Sequence, residues 1–300
     1  MSTPPRCSLS VILSKTSPVA IIARRGPSRR CCLIRWDLRN DRFETGHWYK
    51  GRVTLNDLSP SGEWLLTTCS KGFDVWTVLS RPPYLTAHGL WHIGDHWGAG
   101  GRFLGEDCVV LDRVGNAHGL ENIGPYRLPS ALKVRLRTPD DDRHPAPPSR
   151  WHRQVAARDT QDHAARLDFA NGQVVHGPDG LRLERNFYGA LRLVHGAGDH
   201  TVDLPAETAW ADFNPWSRPG QLVFAIEGRL LAVAVADLPG LADTAALTAH
   251  ARTLADFTGL TFEARPAPAS ALPARSLARP AKGDDPWHPL DAGKGRGRGR

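Results

Sequence analysis

Short apolar runs alternate with turn residues along most of the chain. The runs are rich in β-branched and aromatic residues, and Gly, Pro, Asn, Asp or Ser separates them. This pattern is typical of β-strands joined by tight turns. The runs predicted to be strands are 19–26, 31–36, 63–70, 73–79, 108–111, 131–137, 181–185, 190–194, 221–228 and 229–235. Residues 241–256 have a helical composition or form a loop with one helical turn, so the sequence predicts a nearly all-β chain.

One sequence element recurs along the chain. DLSPSGEWLL (57–66) returns as DFNPWSRPGQLVF (212–224): an acid, an apolar residue, Ser or Asn, Pro, a Gly-containing turn and a strand. DFANGQVV (168–175) and RFLGEDCVVL (102–111) keep less of the pattern. The apolar anchors, 45, 66 and 44 positions apart, are Leu58, Phe103, Phe169 and Phe213. The long interval contains a Pro- and charge-rich segment, 138–150, which we predict to be a surface loop. Without that loop the period matches a four-stranded propeller blade.

The DLSPSG copy, with the strand after it, resembles the repeats of WD40-like and TolB-like β-propeller families. Those repeats typically read D/W-F-S-P-D-G before an apolar strand, and Ser61 stands here in place of the usual Asp. The segments WYKGR (48–52), SRPPYLTA (80–87) and GDHWGAGG (94–101) are similar to elements of uncharacterised bacterial propeller-like proteins. The resemblance implies a fold and carries no known activity.

The phase of the repeat predicts how the chain closes. Residues 260–268 are a lone predicted strand one period beyond Phe213, and we expect it to complete the N-terminal sheet so that no sheet edge is left open. The expected fold is a β-propeller of five blades, within a range of four to six, over residues 18–268. The predicted blades are 19–51 with 260–268, 52–91, 92–137, 151–205 and 206–257. Residues 1–17 and the Pro/Gly/Arg-rich tail, 269–300, are predicted to be disordered.

The net charge of +7 is concentrated at the two ends of the chain. Residues 1–30 carry six Lys or Arg and no acid, and residues 269–300 carry seven against three Asp, which leaves the rest with a net charge of −3. We therefore expect no basic face on the body of the chain. We interpret RRGPSRR (24–30) as a hairpin turn whose Arg side chains are solvated. The five cysteines show no C-x-x-C spacing, which is typical of reduced, buried thiols in a cytoplasmic protein.

Membrane and secretory signals are not recognised in the sequence. No apolar run approaches the roughly 20 residues that a membrane span needs, and no cleavage site follows the weak apolar run at 8–13. We therefore expect a cytoplasmic monomer that is not bound to a membrane.

The stretch GLWHIGDHWGAGGRF (89–103) is the densest cluster of potential ligands. His92, Asp95 and His96 are metal-ligand types at close spacing, but the glycines among them make a helix improbable. We interpret the stretch as a crossing between two blades and expect no metal and no cofactor. His92, Asp95, His96 and Trp97 stay candidates for contact with a partner at the rim.

Three acids precede the repeated turn at equivalent positions, namely Asp57, Asp168 and Asp212. In five-bladed glycosidases, acids from separate blades meet in a central funnel and serve as acid and nucleophile or base. An Asp before a turn can instead accept backbone N–H bonds. No G-x-S-x-G, Walker A or H-E-x-x-H motif accompanies them.

We favour a binding or scaffolding protein, without catalysis, whose partner is another protein. The first alternative is a sugar hydrolase that uses the three Asp residues. The second is weak RNA binding through Lys294, Arg296, Arg298 and Arg300 in the tail, although nucleic acid is not the expected partner.

Overall fold

The structure is a computed structural model that describes most of the chain. The described residues are 7–26, 29–94, 99–112, 120, 122–123, 128–138, 140–143, 152–153, 173–186, 188–196, 200–217 and 220–273. They form five β-sheets and a few short helices, which agrees with the predicted all-β fold.

Three of the sheets are four-stranded antiparallel meanders whose strands follow chain order. Sheet 1 contains β1 (Ser8–Leu13), β2 (Val19–Arg25), β3 (Arg30–Asp37) and β4 (Arg42–Lys50). Sheet 2 contains β5 (Arg52–Leu58), β6 (Leu65–Lys71), β7 (Asp74–Ser80) and β8 (Ala87–His92).

The other two sheets described here are less regular. Sheet 3 contains β9 (Gly101–Phe103), β10 (Cys108–Leu111) and β11 (Lys133–Leu136), and the last two are parallel. Sheet 4 contains β12 (His152–Arg153), β13 (Gln173–His176), β14 (Arg182–Arg185), β15 (Leu191–His195) and β16 (His200–Asp203). Sheet 5, the third of the regular meanders, contains β17 (Thr208–Asn214), β18 (Gln221–Ile226), β19 (Arg229–Ala234) and β20 (Arg252–Asp256).

The helical segments are short. Helix Thr244–His250 begins at Asp243, whose side chain accepts a hydrogen bond from the Ala246 N–H at 2.8 Å. The stretch predicted as helix or loop, 241–256, therefore divides into this helix and β20. The remaining helical turns are Asp140–Arg143 and the 3₁₀ turns Val235–Gly240 and Ala269–Ala271. None of the helices in the described residues is long and apolar enough to cross a membrane.

Consecutive sheets pack against each other through apolar cores. Sheet 4 packs on sheet 5, sheet 5 on sheet 1, sheet 1 on sheet 2 and sheet 2 on sheet 3. Strand β18 shows why its sequence is an unbroken apolar run. Leu222 and Phe224 contribute to the core with sheet 4, while Val223 and Ala225 contribute to the core with sheet 1. A strand buried on both faces typically appears in the sequence as a nearly continuous apolar run.

The first strands of neighbouring sheets lie side by side. β1 contacts both β5 and β17, and β5 also contacts β9. The sheets therefore pack face to face in the order 4–5–1–2–3, and the first strands of sheets 5, 1, 2 and 3 lie next to one another. The bounds of the five sheets also follow the predicted blade boundaries closely, apart from the two corrections below.

The first correction concerns the N-terminus. The prediction that residues 1–17 are disordered is wrong for residues 8–13, which form β1. Leu9, Val11 and Leu13 alternate with more exposed residues and enter the core shared with sheet 5. Period-two alternation is the pattern of a strand with one buried face, and the short apolar run at 8–13 is this strand. Residues 1–6 lie outside the described residues.

The second correction concerns the C-terminal strand. Residues 260–268 form no strand, and sheet 1 takes all four of its strands from residues 8–50. Pro266 and Pro268 lack the N–H groups that a ladder needs. The segment 257–273, which we name the C-terminal strap, instead runs along sheet 1 through side-chain contacts and reaches sheet 2.

Two further predicted segments fall partly outside the described residues. Within the predicted loop 138–150, residues 140–143 form a helical turn in which Asp141 accepts hydrogen bonds from Arg135 and Thr138. Those bonds hold the pKa of Asp141 well below its usual range. In the predicted tail 269–300, residues 269–273 belong to the strap, and residues 274–300 lie outside the described residues.

Candidate functional site

Asp57 lies near the end of β5 and is buried, with 6% of its surface exposed. One carboxylate oxygen accepts the Leu58 N–H at 2.9 Å, and the other accepts the Phe103 N–H of β9 at 2.8 Å. The ammonium of Lys15, in the turn after β1, lies 3.4 Å from the same carboxylate. Burial raises the pKa of Asp57, while Lys15 and the two N–H groups oppose that rise. The carboxylate thus connects sheets 1, 2 and 3.

Asp212 occupies the equivalent position in sheet 5 and is also buried. Its carboxylate accepts the Phe213 N–H at 2.7 Å, as Asp57 accepts the Leu58 N–H. Both acids therefore accept backbone hydrogen bonds near the end of a first strand. This is the structural role that the sequence offered as the alternative to catalysis. Asp168 lies outside the described residues. The two described acids give no support to a funnel-based hydrolase.

The stretch 89–103 crosses from sheet 2 to sheet 3, as the sequence indicates. His92 ends β8, its Nε2 lies 3.9 Å from the Asp74 carboxylate, and its ring meets the Trp76 ring edge-on at 6.3 Å between centroids. Asp95, His96 and Trp97 lie outside the described residues. Within the described part of the chain, no group of three or more His, Cys, Asp or Glu is placed to hold a metal ion.

Two glycines of this stretch are required by close packing. A Cβ at Gly89 would lie 2.4 Å from the ring of the buried Trp91. A Cβ at Gly101, where φ is +154°, would lie 2.3 Å from the carbonyl oxygen of Val110. Gly89 therefore leaves room for the Trp91 ring of its own strand, and Gly101 leaves room for the backbone of the neighbouring strand β10.

The cysteines are free thiols, four of them buried and Cys108 partly exposed. Burial raises the pKa of Cys31 to about 11 and that of Cys32 and Cys69 to about 12. These three thiols stay protonated at neutral pH and so are poor nucleophiles.

The most exposed large apolar residue in the described chain is Phe73, which is 98% exposed. It lies in the two-residue hairpin loop between β6 and β7, where Lys71 pairs with Asp74. Gly72 has φ +67°, which supplies the positive angle that such a loop needs at its first position. A tight turn thus presents an apolar ring to solvent on a rigid support.

Two other aromatic side chains lie at the same end of sheet 2 as Phe73. Trp76 and His92 face each other across β7 and β8, both are partly exposed, and Asp74 contacts His92. Of the four rim candidates predicted from the sequence, His92 is thereby placed beside this hairpin. Sequence inspection missed Phe73 because an isolated Phe reads as a strand residue, although the Gly before it is a turn signal.

No protein-family model matches the sequence, and no curated protein matches it. Among solved structures, the chain is similar to the beta-propeller domain of Cps50 (Swd1) from Myceliophteria thermophila. The identity is 12%, with 78% of this chain and 68% of that chain covered, and the TM-score is 0.23.

Proposed function

We propose that the five sheets are the blades of a closed five-bladed β-propeller and that the chain is a binding or scaffolding protein whose partner is another protein. The sheet order 4–5–1–2–3 leaves sheets 3 and 4 to meet and close the ring. Closure at that point would bury the remaining faces of both sheets, as the other four contacts do.

The observation that carries the binding role is the exposure of Phe73 at the tip of a rigid hairpin. A fully exposed Phe costs hydration free energy unless a partner covers it, and large aromatic residues are frequent hot spots of protein interfaces. The described acids Asp57 and Asp212 accept structural hydrogen bonds, which favours binding over hydrolysis. The basic tail residues 294–300, on which the RNA-binding alternative depends, lie outside the described residues.

The test is affinity purification from the source cells with three tagged baits: the full chain, a chain ending at residue 273, and Phe73→Ala. We expect the first two baits to recover the same protein in near-equal amounts and Phe73→Ala to recover much less. The recovered protein, purified, should then bind the full chain directly in calorimetry. Recovery of no protein by the full chain, or recovery that depends only on residues 274–300, would contradict the proposal.

A further inference from the structure

Five exposed basic residues lie at one common end of sheets 1 and 2. We name them the basic edge: Arg29, Arg30, Lys50, Arg52 and Lys71. Arg30 pairs with Lys50 across β3 and β4, and Arg52 pairs with Ser70, the residue before Lys71. One residue, Gly51, joins Lys50 to Arg52, and its N–H donates to the Arg29 carbonyl at 2.8 Å. The two sheets therefore present these charges side by side.

The basic edge is flanked by two exposed aromatic rings. Phe73 follows Lys71 by two positions in the same hairpin. Phe262 of the C-terminal strap is 52% exposed, and the Arg30 guanidinium lies 4.3 Å from its ring centroid. The five basic residues thus have a large apolar side chain on each side.

Acidic groups are few at this end of the two sheets. The described residues at these strand ends are 7–8, 25–26, 29–31, 49–52, 70–75 and 92–94, and among them the acid is Asp74, which lies beside His92. In the strap, Glu263 follows Phe262 and is paired with Arg265 at 2.7 Å. The body of the chain, acidic as a whole, therefore does carry a basic face, contrary to the expectation from its net charge. Arg24, expected in a solvated turn, is 2% exposed and donates to the carbonyls of Phe257 and Thr258.

The basic surface ends at sheet 5. The corresponding strand ends there carry the exposed acids Glu207, Glu227 and Asp256, with Arg229 paired opposite Asp256. A long polyanion such as a nucleic acid strand would meet repulsion on leaving sheets 1 and 2. A short acidic segment fits a patch that spans two sheets.

We propose that the basic edge and Phe73 together bind a short acidic peptide segment of a partner protein, one that carries a large apolar side chain for Phe73 to contact. The inference rests on the proposed protein-binding function and adds the chemistry of the partner. Carboxylates would pair with the Lys and Arg side chains, and the apolar residue would cover the Phe73 ring. Arg and aromatic residues together are typical of binding hot spots, and opposite charges speed association.

The first experiment measures binding of labelled probes to the full chain by fluorescence anisotropy. The probes are an acidic peptide of Glu and Asp around a central Leu-Trp pair, the same peptide with Gln and Asn replacing the acids, and single-stranded oligo-dT. We expect the acidic peptide to bind more than tenfold more tightly than its neutral counterpart. Its affinity should fall as NaCl rises, because exposed charges are screened.

The variants separate this surface from a general charge effect. Arg52→Gln with Lys71→Gln should weaken peptide binding about tenfold, and Phe73→Ala should do so by about tenfold as well. The matched control, Arg42→Gln with Lys133→Gln, removes two exposed charges at the opposite strand ends and should change affinity less than twofold. All three variants alter exposed side chains, and equal thermal midpoints would verify their folding.

Several results would overturn the inference. One is equal loss of binding in the control and edge variants, and another is peptide affinity that does not depend on the acids. Tighter binding of oligo-dT, lost in the same variants, would assign the surface to nucleic acid. If the partner recovered by affinity purification is lost by Phe73→Ala but still binds the Arg52→Gln, Lys71→Gln variant with full affinity, the proposed function stands and this inference fails.

Discussion

A buried carboxylate can serve the fold without serving catalysis, and Asp57 illustrates how. Its two oxygens accept N–H groups from its own strand and from β9, and Lys15 supplies the opposite charge. Charged groups are tolerated in a protein interior when they are paired and hydrogen-bonded in this way. The acid of the repeated element is therefore explained by what it holds together, namely the first strands of neighbouring sheets.

Replacing Asp57 with Ala should lower the free energy of unfolding by about 2–4 kcal/mol. The change leaves the Phe103 N–H without its acceptor and Lys15 without its counter-charge. Urea unfolding at neutral pH measures the loss. The control is Asp112→Ala, which removes an exposed acid paired with Arg137 at 3.2 Å and should cost about 1 kcal/mol or less. Equal stability of the two variants would show that Asp57 does not hold the strands together.

His88 should make stability depend on pH. Its Nε2–H donates to the Ala271 carbonyl of the strap at 3.2 Å, and burial lowers the pKa of His88 below 6.5. The unfolded chain therefore takes up a proton near pH 6.5 while folded His88 stays neutral. The stability from neutral His88 is complete above that pH and is lost as the pH falls below it.

The measurement is urea unfolding at about pH 7.5 and about pH 5.5, in the wild type and in His88→Gln. The variant should lose less stability on acidification than the wild type. The pKa of His47 is also lowered by burial, but His47 is present in both chains and its effect cancels in the comparison. Identical losses would show that His88 does not titrate with folding.

At the scale of elements, strands with apolar residues on both faces are the easiest to predict from sequence. β2, β3, β18 and β19 are buried along most of their length, and each contains a run of at least four apolar residues. Strand β20, RTLAD, has little strand propensity and forms because β19 offers its edge for pairing. Such a strand depends on a tertiary partner that a local pattern does not reveal.

Strand β1 could have been found from the repeat. Leu13, Leu58 and Phe103 end the first strands of sheets 1, 2 and 3, and each is 45 positions from the next. The copy at Leu13 has no acid before the apolar anchor and has a longer turn through Lys15, so it does not match the DLSPSG pattern. The spacing is kept because sheets 1 and 2 each use four strands of similar length, whereas the turn residues are free to vary.

The candidate site was only partly predictable for a related reason. His92 and the glycines of 89–103 mark a crossing between sheets, and the sequence places that crossing correctly. The basic edge is not visible in the sequence, because Arg29, Arg30, Lys50, Arg52 and Lys71 come from separate strand ends and are diluted by acids elsewhere. Only the register of β3 to β6 brings them together.

The role of β1 as a true strand can be tested with two substitutions to the same residue. Leu9 is buried in the core shared with sheet 5, whereas Ser8 is exposed on the same strand. Leu9→Asn should lower the free energy of unfolding by about 3 kcal/mol, because it buries an amide that has no hydrogen-bond partner and removes apolar contacts. Ser8→Asn should change it by about 0.5 kcal/mol or less. Equal urea midpoints for the two variants would mean that residues 8–13 do not pack as a strand.

At the scale of the whole molecule, the N-terminal and C-terminal parts of the described chain contact each other. Sheet 5 packs directly on sheet 1, and the C-terminal strap continues from sheet 5 across both sheets 1 and 2. Its contacts are Arg24 to the Phe257 carbonyl, Phe262 to Trp48, Arg265 to the Thr45 carbonyl, and Ala271 to His88. The strap thus couples sheets 1 and 2 without adding a strand to either.

Because the strap adds no strand, removing most of it should weaken the fold without abolishing it. A strand that closes the ring would be indispensable, but the strap lies over a sheet that already has four strands. A chain ending at residue 259 keeps Phe257 and Thr258, and with them both carbonyls that Arg24 contacts. It loses the Phe262, Arg265 and Ala271 contacts. We expect it to fold cooperatively, with a free energy of unfolding lower by a few kcal/mol because one buried hydrogen bond and some apolar contact are gone.

The comparison is between chains ending at residues 259 and 273, by urea unfolding followed with both Trp fluorescence and circular dichroism. The shorter chain should show a single transition at lower urea, coincident in the two signals. The pH dependence assigned to His88 should be smaller in it, because the Ala271 carbonyl is absent. If the chain ending at residue 259 shows no cooperative transition, residues 260–273 are required for folding. Equal midpoints for the two chains would mean that the strap does not couple sheets 1 and 2 in solution.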